Sequence, residues 1–248
     1  MSKQYVPKRA MFIYAHPDDI EFGCAGTAAK WAKHGCEVTY VLLTSGNVGT
    51  HNPELTKEKL AEIRQAEQSA AAEIAGVTNM IFLGHDDGLL VADLKLRKQL
   101  VKLIRIHKPN VVVCGDPTVI FRGDRINHPD HRAAGKAAID AVFPSSEMRL
   151  LHQEFEEEGI YPHKVNYVYV TTHQNPNYYE DISETIDTKI EALRQHAPSQ
   201  FSPEFDIEKR IKDWAGQVGK EVGFKYAERF RRMTLEAVKE EDEESSEE

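Results

Sequence analysis

The stretch AMFIYAHPDD at residues 10–19 decides the fold, because an unbroken apolar run ends there in a histidine, a proline and two aspartates. Residues 10–15 are too few and too continuously apolar for a surface helix. They are typical of a strand that is buried on both faces of a sheet. Comparable apolar runs predict further strands at residues 38–43, 80–83, 110–114 and 165–170.

Helical patterns separate these runs and predict helices at residues 25–34, 57–75, 94–107, 183–196 and 207–222. This alternation predicts an α/β fold, a Rossmann-like doubly wound and mostly parallel sheet flanked by helices, with right-handed crossovers. We predict a single domain over residues 1–238 and an acidic, disordered tail over residues 239–248, since the tail has too few apolar residues to fold.

Composition excludes several classes of function. The formal net charge is −9, but the acidic tail carries most of it, and no basic stripe with interleaved aromatics predicts nucleic-acid binding. No apolar run is long enough to cross a bilayer and residues 1–9 lack a signal-peptide core, so we expect no membrane association. The scattered Cys24, Cys36 and Cys114 form neither a disulfide framework nor a Cys-x-x-Cys pair, which fits a cytoplasmic protein.

A second cluster, HPDH at residues 128–131, follows the fourth predicted strand after a loop rich in glycine and proline. Ligands of open α/β sheets lie beyond the carboxyl ends of the strands, so we expect the two clusters to converge. Pro129 suits the first turn of a helix, whose N-terminal dipole would favour Asp130. Imidazole and carboxylate together suit a catalytic zinc with one position left for water. The pattern therefore predicts a hydrolase.

These residues resemble those of a known family, the LmbE-like or PIG-L zinc de-N-acetylases, which remove acetyl groups from N-acetylglucosamine-type sugars. The resemblance covers roughly the first two-thirds of the chain, with a fainter trace near the end. The residues that carry it are the two clusters, Gly23, Gly26, LTSG at 43–46, RQAE at 64–67, Asp87-Gly88, and a lysine-to-HAPSQ stretch at 189–200.

The resemblance implies a role for each matching residue. His16, Asp19 and His131 would bind Zn²⁺. Asp18 would be the general base, and His128 would stabilise the oxyanion or act as an acid. Arg64 and Asp87 fall where relatives contact the sugar, so the resemblance implies that both bind substrate.

The resemblance also implies a small N-acetylated sugar as substrate and a homo-oligomer, a trimer or hexamer. Two positions depart from the family pattern. Ile126 stands where some relatives have a tyrosine, and Asn47 stands where some have an acid. The sequence leaves open free N-acetylglucosamine, chitin oligomers, thiol-linked glucosamine conjugates and an inositol-linked sugar.

Simpler interpretations exist for several of these residues. Without the resemblance, Arg64 is most simply an exposed helix residue that pairs with Glu62 or Glu67. Asp87-Gly88 alone is as typical of a turn as of a sugar contact. His196 is more typical of a helix-terminus residue than of a chemical one.

Two other classes of protein remain possible at this stage. One is a nucleotide- or dinucleotide-binding enzyme, although GCAG at residues 23–26 lacks the G-x-G-x-x-G spacing. The other is a non-catalytic sugar- or metal-binding module.

Overall fold

The computed structural model describes residues 5–172, 174–202 and 204–236, so the predicted acidic tail and His173 lie outside the described residues. The strands are β1 Arg9–Tyr14, β2 Glu37–Thr44, β3 Asn79–His85, β4 Val111–Gly115, β5 Phe121–Arg122, β6 Arg125–Ile126, β7 Tyr167–Thr171, β8 Tyr178–Asp181 and β9 Ala227–Thr234. The α-helices are α1 Asp19–Gly23, α2 Ala25–Lys33, α3 Lys57–Ile74, α4 Leu94–His107, α5 Pro129–Asp140, α6 Ile186–Arg194, α7 Ala197–Gln200 and α8 Ile207–Val222. A π-helical segment, Ala141–Ser146, and a 3-10 helix, Gln153–Glu158, complete the helical elements.

The main sheet has the strand order β3-β2-β1-β4-β7-β9-β8. The first five strands in that order are parallel, whereas β9 pairs antiparallel with both β7 and β8. The Rossmann-like, mostly parallel α/β sheet is therefore confirmed. At its centre, Ala10 of β1 pairs with Val38 of β2 on one side and Val111 of β4 on the other. The ends of β1 and β4 consequently lie side by side, where open α/β sheets bind ligands.

Strand β1 contributes side chains to two cores. Phe12 packs in the cluster that contains Trp31 of α2. Met11 and Ile13 point to the opposite face and pack in the cluster that contains Leu100 of α4. Because successive side chains of a strand alternate between faces, burial on both faces requires the continuous apolar run seen in the sequence.

A close approach of α5 to the end of β4 brings the second cluster to this edge. The predicted helix start is confirmed, since Pro129 is the first residue of α5 and His128 is its N-cap. A Cβ atom on Gly135 would lie 2.3 Å from the backbone oxygen of Gly115, so only glycine permits this packing.

Each predicted strand is present with shifted ends, and the predicted helix at residues 183–196 corresponds to α6, followed by α7. The sequence did not reveal α1, β8 or β9. Within the described ranges, no helix combines the length and the apolar character needed to cross a bilayer.

Candidate metal and catalytic site

The first cluster makes a strained turn between β1 and α1. Asp18, the N-cap of α1, has a φ of 101°, which falls in the left-handed region. Few residues other than glycine adopt this region, and such strain persists mainly at functional sites. In consequence the adjacent carboxyl groups have different partners. Asp19 contacts His131, whereas Asp18 lies 3.6 Å from the guanidinium of Arg64.

The three residues that the family resemblance assigns to zinc meet at this turn. His131 Nε2 lies 3.0 Å from Asp19 Oδ1 and 3.2 Å from His16 Nδ1. His16 Nδ1 in turn lies 3.5 Å from Asp19 Oδ2. Donor atoms held about 2.1 Å from a tetrahedral ion lie about 3.4 Å from one another. The separations therefore fit a single divalent ion bound between these side chains.

Two more carboxylates face the opposite edge of the His16 ring. His16 Nε2 lies 2.9 Å from Asp87 Oδ1 and 3.4 Å from Asp130 Oδ2. Metal-ligating histidines usually direct their second nitrogen towards such a group, which orients the ring. The carboxylates on this edge thus leave Nδ1 facing Asp19 and His131.

Asp130 is fully buried and joins three segments of the chain. Its carboxylate accepts hydrogen bonds from the backbone N–H groups of Gly88 (2.7 Å) and Leu90 (3.2 Å), in addition to its contact with His16. Sequence reasoning gave Asp130 only a favourable interaction with a helix dipole. Its actual partners are backbone groups from a distant segment, and no pattern of side chains signals them.

Asn127 fixes the orientation of His131 and was also missed. Its side-chain oxygen lies 3.0 Å from His131 Nδ1, and its Nδ2 donates to the backbone oxygen of Val119 at 2.8 Å. An amide oxygen only accepts, so His131 Nδ1 donates the hydrogen bond. In a neutral ring the lone pair is then on Nε2, which faces Asp19.

The electrostatics of the cluster favour positive charge at its centre. Burial alone would lower the pKa of His16, but hydrogen bonding to Asp130, Asp19 and Asp87 raises it to about 12. Burial would raise the pKa of Asp19, yet His131 and His16 hold it well below its usual range. A divalent cation that displaces a proton from an imidazole would be stabilised by the same carboxylates.

Asp18 has the opposite electrostatic environment from its neighbour. Burial and the adjacent charge of Asp19 raise the pKa of Asp18 to about 7, and Arg64 opposes that rise. Carboxyl groups with divergent pKa values commonly divide chemical roles between them. A pKa close to neutrality suits a group that takes up and returns a proton.

His128 lies at the mouth of the site, with its side chain 40% exposed. Its Nδ1 accepts a hydrogen bond from the backbone N–H of Asp130 at 3.2 Å, so a neutral ring carries its hydrogen on Nε2. Burial and the neighbouring His16 lower the pKa of His128. At neutral pH the ring is therefore an uncharged hydrogen-bond donor.

Arg64 is buried, and its interpretation as an exposed helix residue paired with Glu62 or Glu67 is wrong. Its Nη1 donates to the backbone oxygen of Gly46 at 2.9 Å, and its Nη2 donates to that of Pro17 at 2.8 Å. The guanidinium therefore joins the loop after β2 to the first cluster. Contact of Arg64 or Asp87 with a sugar stays a prediction.

The two departures from the family pattern have different structural settings. The Asn47 amide donates to Asp86 Oδ1 at 2.8 Å and accepts from the backbone N–H of Asp87 at 3.0 Å. An ionised acid could not donate the first of these bonds. Ile126 is 78% exposed on β6, and its hydrocarbon side chain offers no hydroxyl to an oxyanion.

The N-terminus of α2 is occupied by the chain's own carboxylate. Glu228 accepts hydrogen bonds from the backbone N–H groups of Gly26 (3.0 Å) and Thr27 (2.8 Å), and Lys189 neutralises it at 2.5 Å. Dinucleotide-binding enzymes hold the pyrophosphate at the corresponding helix N-terminus. This arrangement argues against the nucleotide-binding interpretation.

Comparison with known proteins agrees with the site. Residues 11–142 match the PIG-L family, described as GlcNAc-PI de-N-acetylase. A diacetylchitobiose deacetylase from Thermococcus kodakarensis is 36% identical over 229 residues, which cover 90% of this chain and 82% of that protein. A probable N-acetyl-alpha-D-glucosaminyl L-malate deacetylase 2 from Bacillus anthracis is 27% identical over 204 residues, covering 79% of this chain and 82% of that protein.

A solved structure extends the likeness to three dimensions. The N,N'-diacetylchitobiose deacetylase from Pyrococcus horikoshii, in complex with its inhibitor MPG, matches with a TM-score of 0.84 and 32% identity. The match covers 92% of this chain and 84% of that chain. The segment matched by the family runs from β1 to the end of α5 and includes both histidine-aspartate clusters. The protein is a member of the PIG-L, or LmbE-like, family of de-N-acetylases.

Proposed function

We propose that this protein is a zinc-dependent N-deacetylase that hydrolyses the acetamide of an N-acetylglucosamine-type sugar or sugar conjugate. One observation carries the proposal: His16 Nδ1, His131 Nε2 and the Asp19 carboxylate lie 3.0–3.5 Å apart, with Asp18 beside them. The curated relatives support the substrate class, since both are named as deacetylases of acetylated sugars.

Zinc is the ion we propose, because two imidazoles and one carboxylate are a common ligand set of catalytic zinc. When bound, zinc supplies a water whose pKa is lowered to about 7 and polarises the substrate carbonyl. His16, Asp19 and His131 would hold the ion. Asp87, Asp130 and Asn127 would orient the two imidazoles through the contacts described above.

Asp18 and His128 would carry out the proton transfer and the charge stabilisation. Asp18 takes a proton from the water that adds to the acetamide carbon, and it returns that proton to the nitrogen as the carbon–nitrogen bond breaks. The products are acetate and a free amine. His128 donates its Nε2–H to the carbonyl oxygen as negative charge develops there, and removal of one such donor typically costs about 10²–10³ in kcat.

A short chitin-type oligosaccharide is the first substrate to test. The support for it is the similarity to diacetylchitobiose deacetylases, at 36% identity for one relative and 32% for a solved structure. In this proposal Arg64 and Asp87 lie at the sugar end of the site. A non-catalytic binding module is less favoured, because the similar proteins are named as deacetylases.

Metal analysis and product release test the proposal together. The purified protein should contain about one zinc ion per chain and release primary amine and acetate from an N-acetylated sugar. Chelation should abolish turnover, and added zinc should restore it. The Asp18→Asn variant should keep its zinc and lose at least about 100-fold in kcat.

The matched control is Asp93→Asn. Asp93 caps α4 by accepting from the backbone N–H of Leu96 at 2.8 Å, and asparagine caps helices equally well. This variant should therefore keep full activity. Undiminished turnover by metal-free protein, or by Asp18→Asn, would contradict the proposal.

For location and assembly, we propose a cytoplasmic homo-oligomer, a trimer or hexamer. Cys24, Cys36 and Cys114 are buried free thiols, which supports a reducing compartment. The exposed apolar side chains of Phe121 and Leu89 support a contact between subunits. Light scattering tests the assembly, and a monomer at micromolar concentration would contradict it.

A further inference from the structure

The segment 196–200 supplies none of the proposed ligands or bases, yet it contacts Pro17 through Gln200 and Glu21 through His196. It completes a group of polar side chains, all of them buried except the partly buried Ser199, that we name the Glu21 array. Its members are Glu21, Glu67, Gln68, His196 and Ser199. Glu21, Gln68 and His196 are each 0% exposed. Polar groups buried this deeply are costly unless they are partnered, so their contacts need an account.

A continuous path of contacts joins Asp18 to His196. The backbone N–H of Asp18 donates to Gln68 Oε1 at 3.1 Å. Gln68 Nε2 donates to Glu21 Oε1 at 2.9 Å. The other oxygen, Glu21 Oε2, lies 3.4 Å from His196 Nε2.

The orientation of the Gln68 amide in this path depends on Glu21. An ionised carboxylate only accepts hydrogen bonds, so Gln68 must turn its NH₂ group towards Glu21 and its oxygen towards Asp18. The reversed amide would present NH₂ to the Asp18 N–H, and the bond would be lost. Asp18 has a strained left-handed backbone, which persists only when its surroundings hold it.

Glu21 depends in turn on His196. Gln68 donates to one oxygen of the Glu21 carboxylate, and His196 contacts the other. Loss of His196 would leave Glu21 Oε2 without that contact in a buried site, where polar groups need partners. The carboxylate would then shift, and the shift would remove the constraint on Gln68.

The same segment contacts the first cluster at a second point. Gln200 Nε2 donates to the backbone oxygen of Pro17 at 3.4 Å, beside the bond that Arg64 makes to that oxygen. Ser199 Oγ donates to Glu67 Oε2 and so ties α7 to α3. Segment 196–200 thus supports the peptide group that joins Pro17 to Asp18, directly at its oxygen through Gln200 and indirectly at its N–H through Glu21 and Gln68.

We propose that His196 is a positioning residue, which fixes the backbone of Asp18 through Glu21 and Gln68. In this proposal the histidine touches neither substrate nor ion. It lies at a helix terminus, as the N-cap of α7, but its side chain makes no capping hydrogen bond. The inference rests on the proposed function of Asp18 as the base.

The test uses the full chain with zinc bound and compares two substitutions of one residue. In His196→Leu, the Asp18 amide should lose its protection from hydrogen exchange, measured by NMR. The kcat of this variant should fall about 10–100-fold, while its KM and zinc content stay unchanged. In His196→Gln, the new amide can donate to Glu21, and both protection and kcat should largely return.

Lys30→Met is the control for losing the partner of a buried carboxylate. Lys30 of α2 lies 2.7 Å from the buried Glu180 of β8, and neither residue belongs to the path from Asp18 to His196. This variant should lose stability but keep the exchange rate of the Asp18 amide and the kcat. Equal effects of His196→Leu and Lys30→Met on that amide would overturn the proposal.

A double variant covers the case in which His196→Leu does not fold. Glu21→Leu with His196→Leu removes both members of the contact together, which cores tolerate better than one buried polar group left without its partner. It should still release Gln68 and expose the Asp18 amide to exchange, and retained protection would overturn the proposal. Hydrogen exchange at the Asp18 amide can be measured without turnover. If the wild-type protein released no amine, that result would count against the proposed function and not against the role of His196 in holding Asp18.

Discussion

At the scale of single residues, His16 has a different task at each ring nitrogen. Nδ1 faces Asp19 and His131, whereas Nε2 faces the carboxylates of Asp87 and Asp130. Few side chains other than imidazole combine a ligand atom with a second polar atom on the opposite edge of a rigid ring. One histidine can therefore serve as the proposed ligand at Nδ1 while distant carboxylates orient it at Nε2.

Asn127 should control the affinity for the ion without touching it. Asn127→Ala removes the acceptor that holds His131 Nδ1, so we expect zinc affinity to fall about 10–100-fold. Competition with a chelator measures the change. Asn79→Ala is the control, since that amide donates to Glu37 on the sheet. Unchanged affinity in Asn127→Ala would mean that His131 is held by other contacts.

Gly46 should be intolerant of a methyl group because of Arg64. A Cβ atom at Gly46 would lie 2.1 Å from Arg64 Nη1, and its φ is +63°. Gly84 has a similar φ of +68°, but a Cβ atom there would meet nothing within 4 Å. Gly46→Ala should therefore reduce the free energy of unfolding by about 1 kcal/mol or more beyond Gly84→Ala.

Urea unfolding of the two alanine variants measures this difference. Because the collision would displace Arg64 from the loop, Gly46→Ala should also lower kcat, whereas Gly84→Ala should not. Equal losses of stability would show that backbone strain alone accounts for the effect.

At the scale of helices and strands, the sequence predicted the elements whose residues are buried in a regular pattern. Residues 10–15 and 110–114 predicted β1 and β4 because strands buried on both faces require continuous apolar residues. Strand β9 was missed because its sequence, AERFRRMT, interleaves charges with apolar residues and is only partly buried. Helix α1 was missed because five residues are too few for a periodic pattern.

The sequence predicted those residues of the site whose side chains themselves indicate a function. Side chains that bring their own chemistry, such as His16 and His131, are visible in a sequence. Asp130 and Asn127 act through a backbone N–H group and a backbone oxygen in other segments, and those groups are the same for nearly every residue type. Only the folded chain identifies such partners.

Glu228 should be among the residues most needed for the stability of α2. Glu228→Gln would leave Lys189 as a buried cation without its partner, so we expect the free energy of unfolding to fall by about 3–5 kcal/mol. Asp213→Asn breaks the exposed pair with Lys209 and should cost less than about 0.5 kcal/mol. Urea denaturation compares them, and similar losses would contradict a structural role for the buried pair.

At the scale of the whole molecule, the site joins parts of the chain that are far apart in sequence. His16 and Asp19 follow β1, Asp87 follows β3, and His131 lies in the first turn of α5 after β4. These segments meet only because the sheet aligns the carboxyl ends of its strands. Binding of an ion between them should consequently stabilise the entire fold rather than one loop.

Zinc should raise the melting temperature of the protein. A ligand that binds only the folded state at 100 times its Kd adds about 2.7 kcal/mol of stability. Calorimetry with zinc and then with excess chelator measures the shift. Asp19→Asn, which weakens one proposed ligand, should show a much smaller shift. An equal shift in that variant would indicate that the ion binds elsewhere.

The contacts of Asp130 also set a time order for synthesis of the protein on the ribosome. A nascent chain that ends before Asp130 lacks the carboxylate that ties Gly88 and Leu90 to the His16 ring, and it lacks His131 as well. Such a chain can already pair β1 with β2 and β2 with β3, but it lacks part of the proposed metal site. For the proposed site, loading of the ion would therefore follow emergence of α5 from the exit tunnel, and fragments released earlier would remain empty of it.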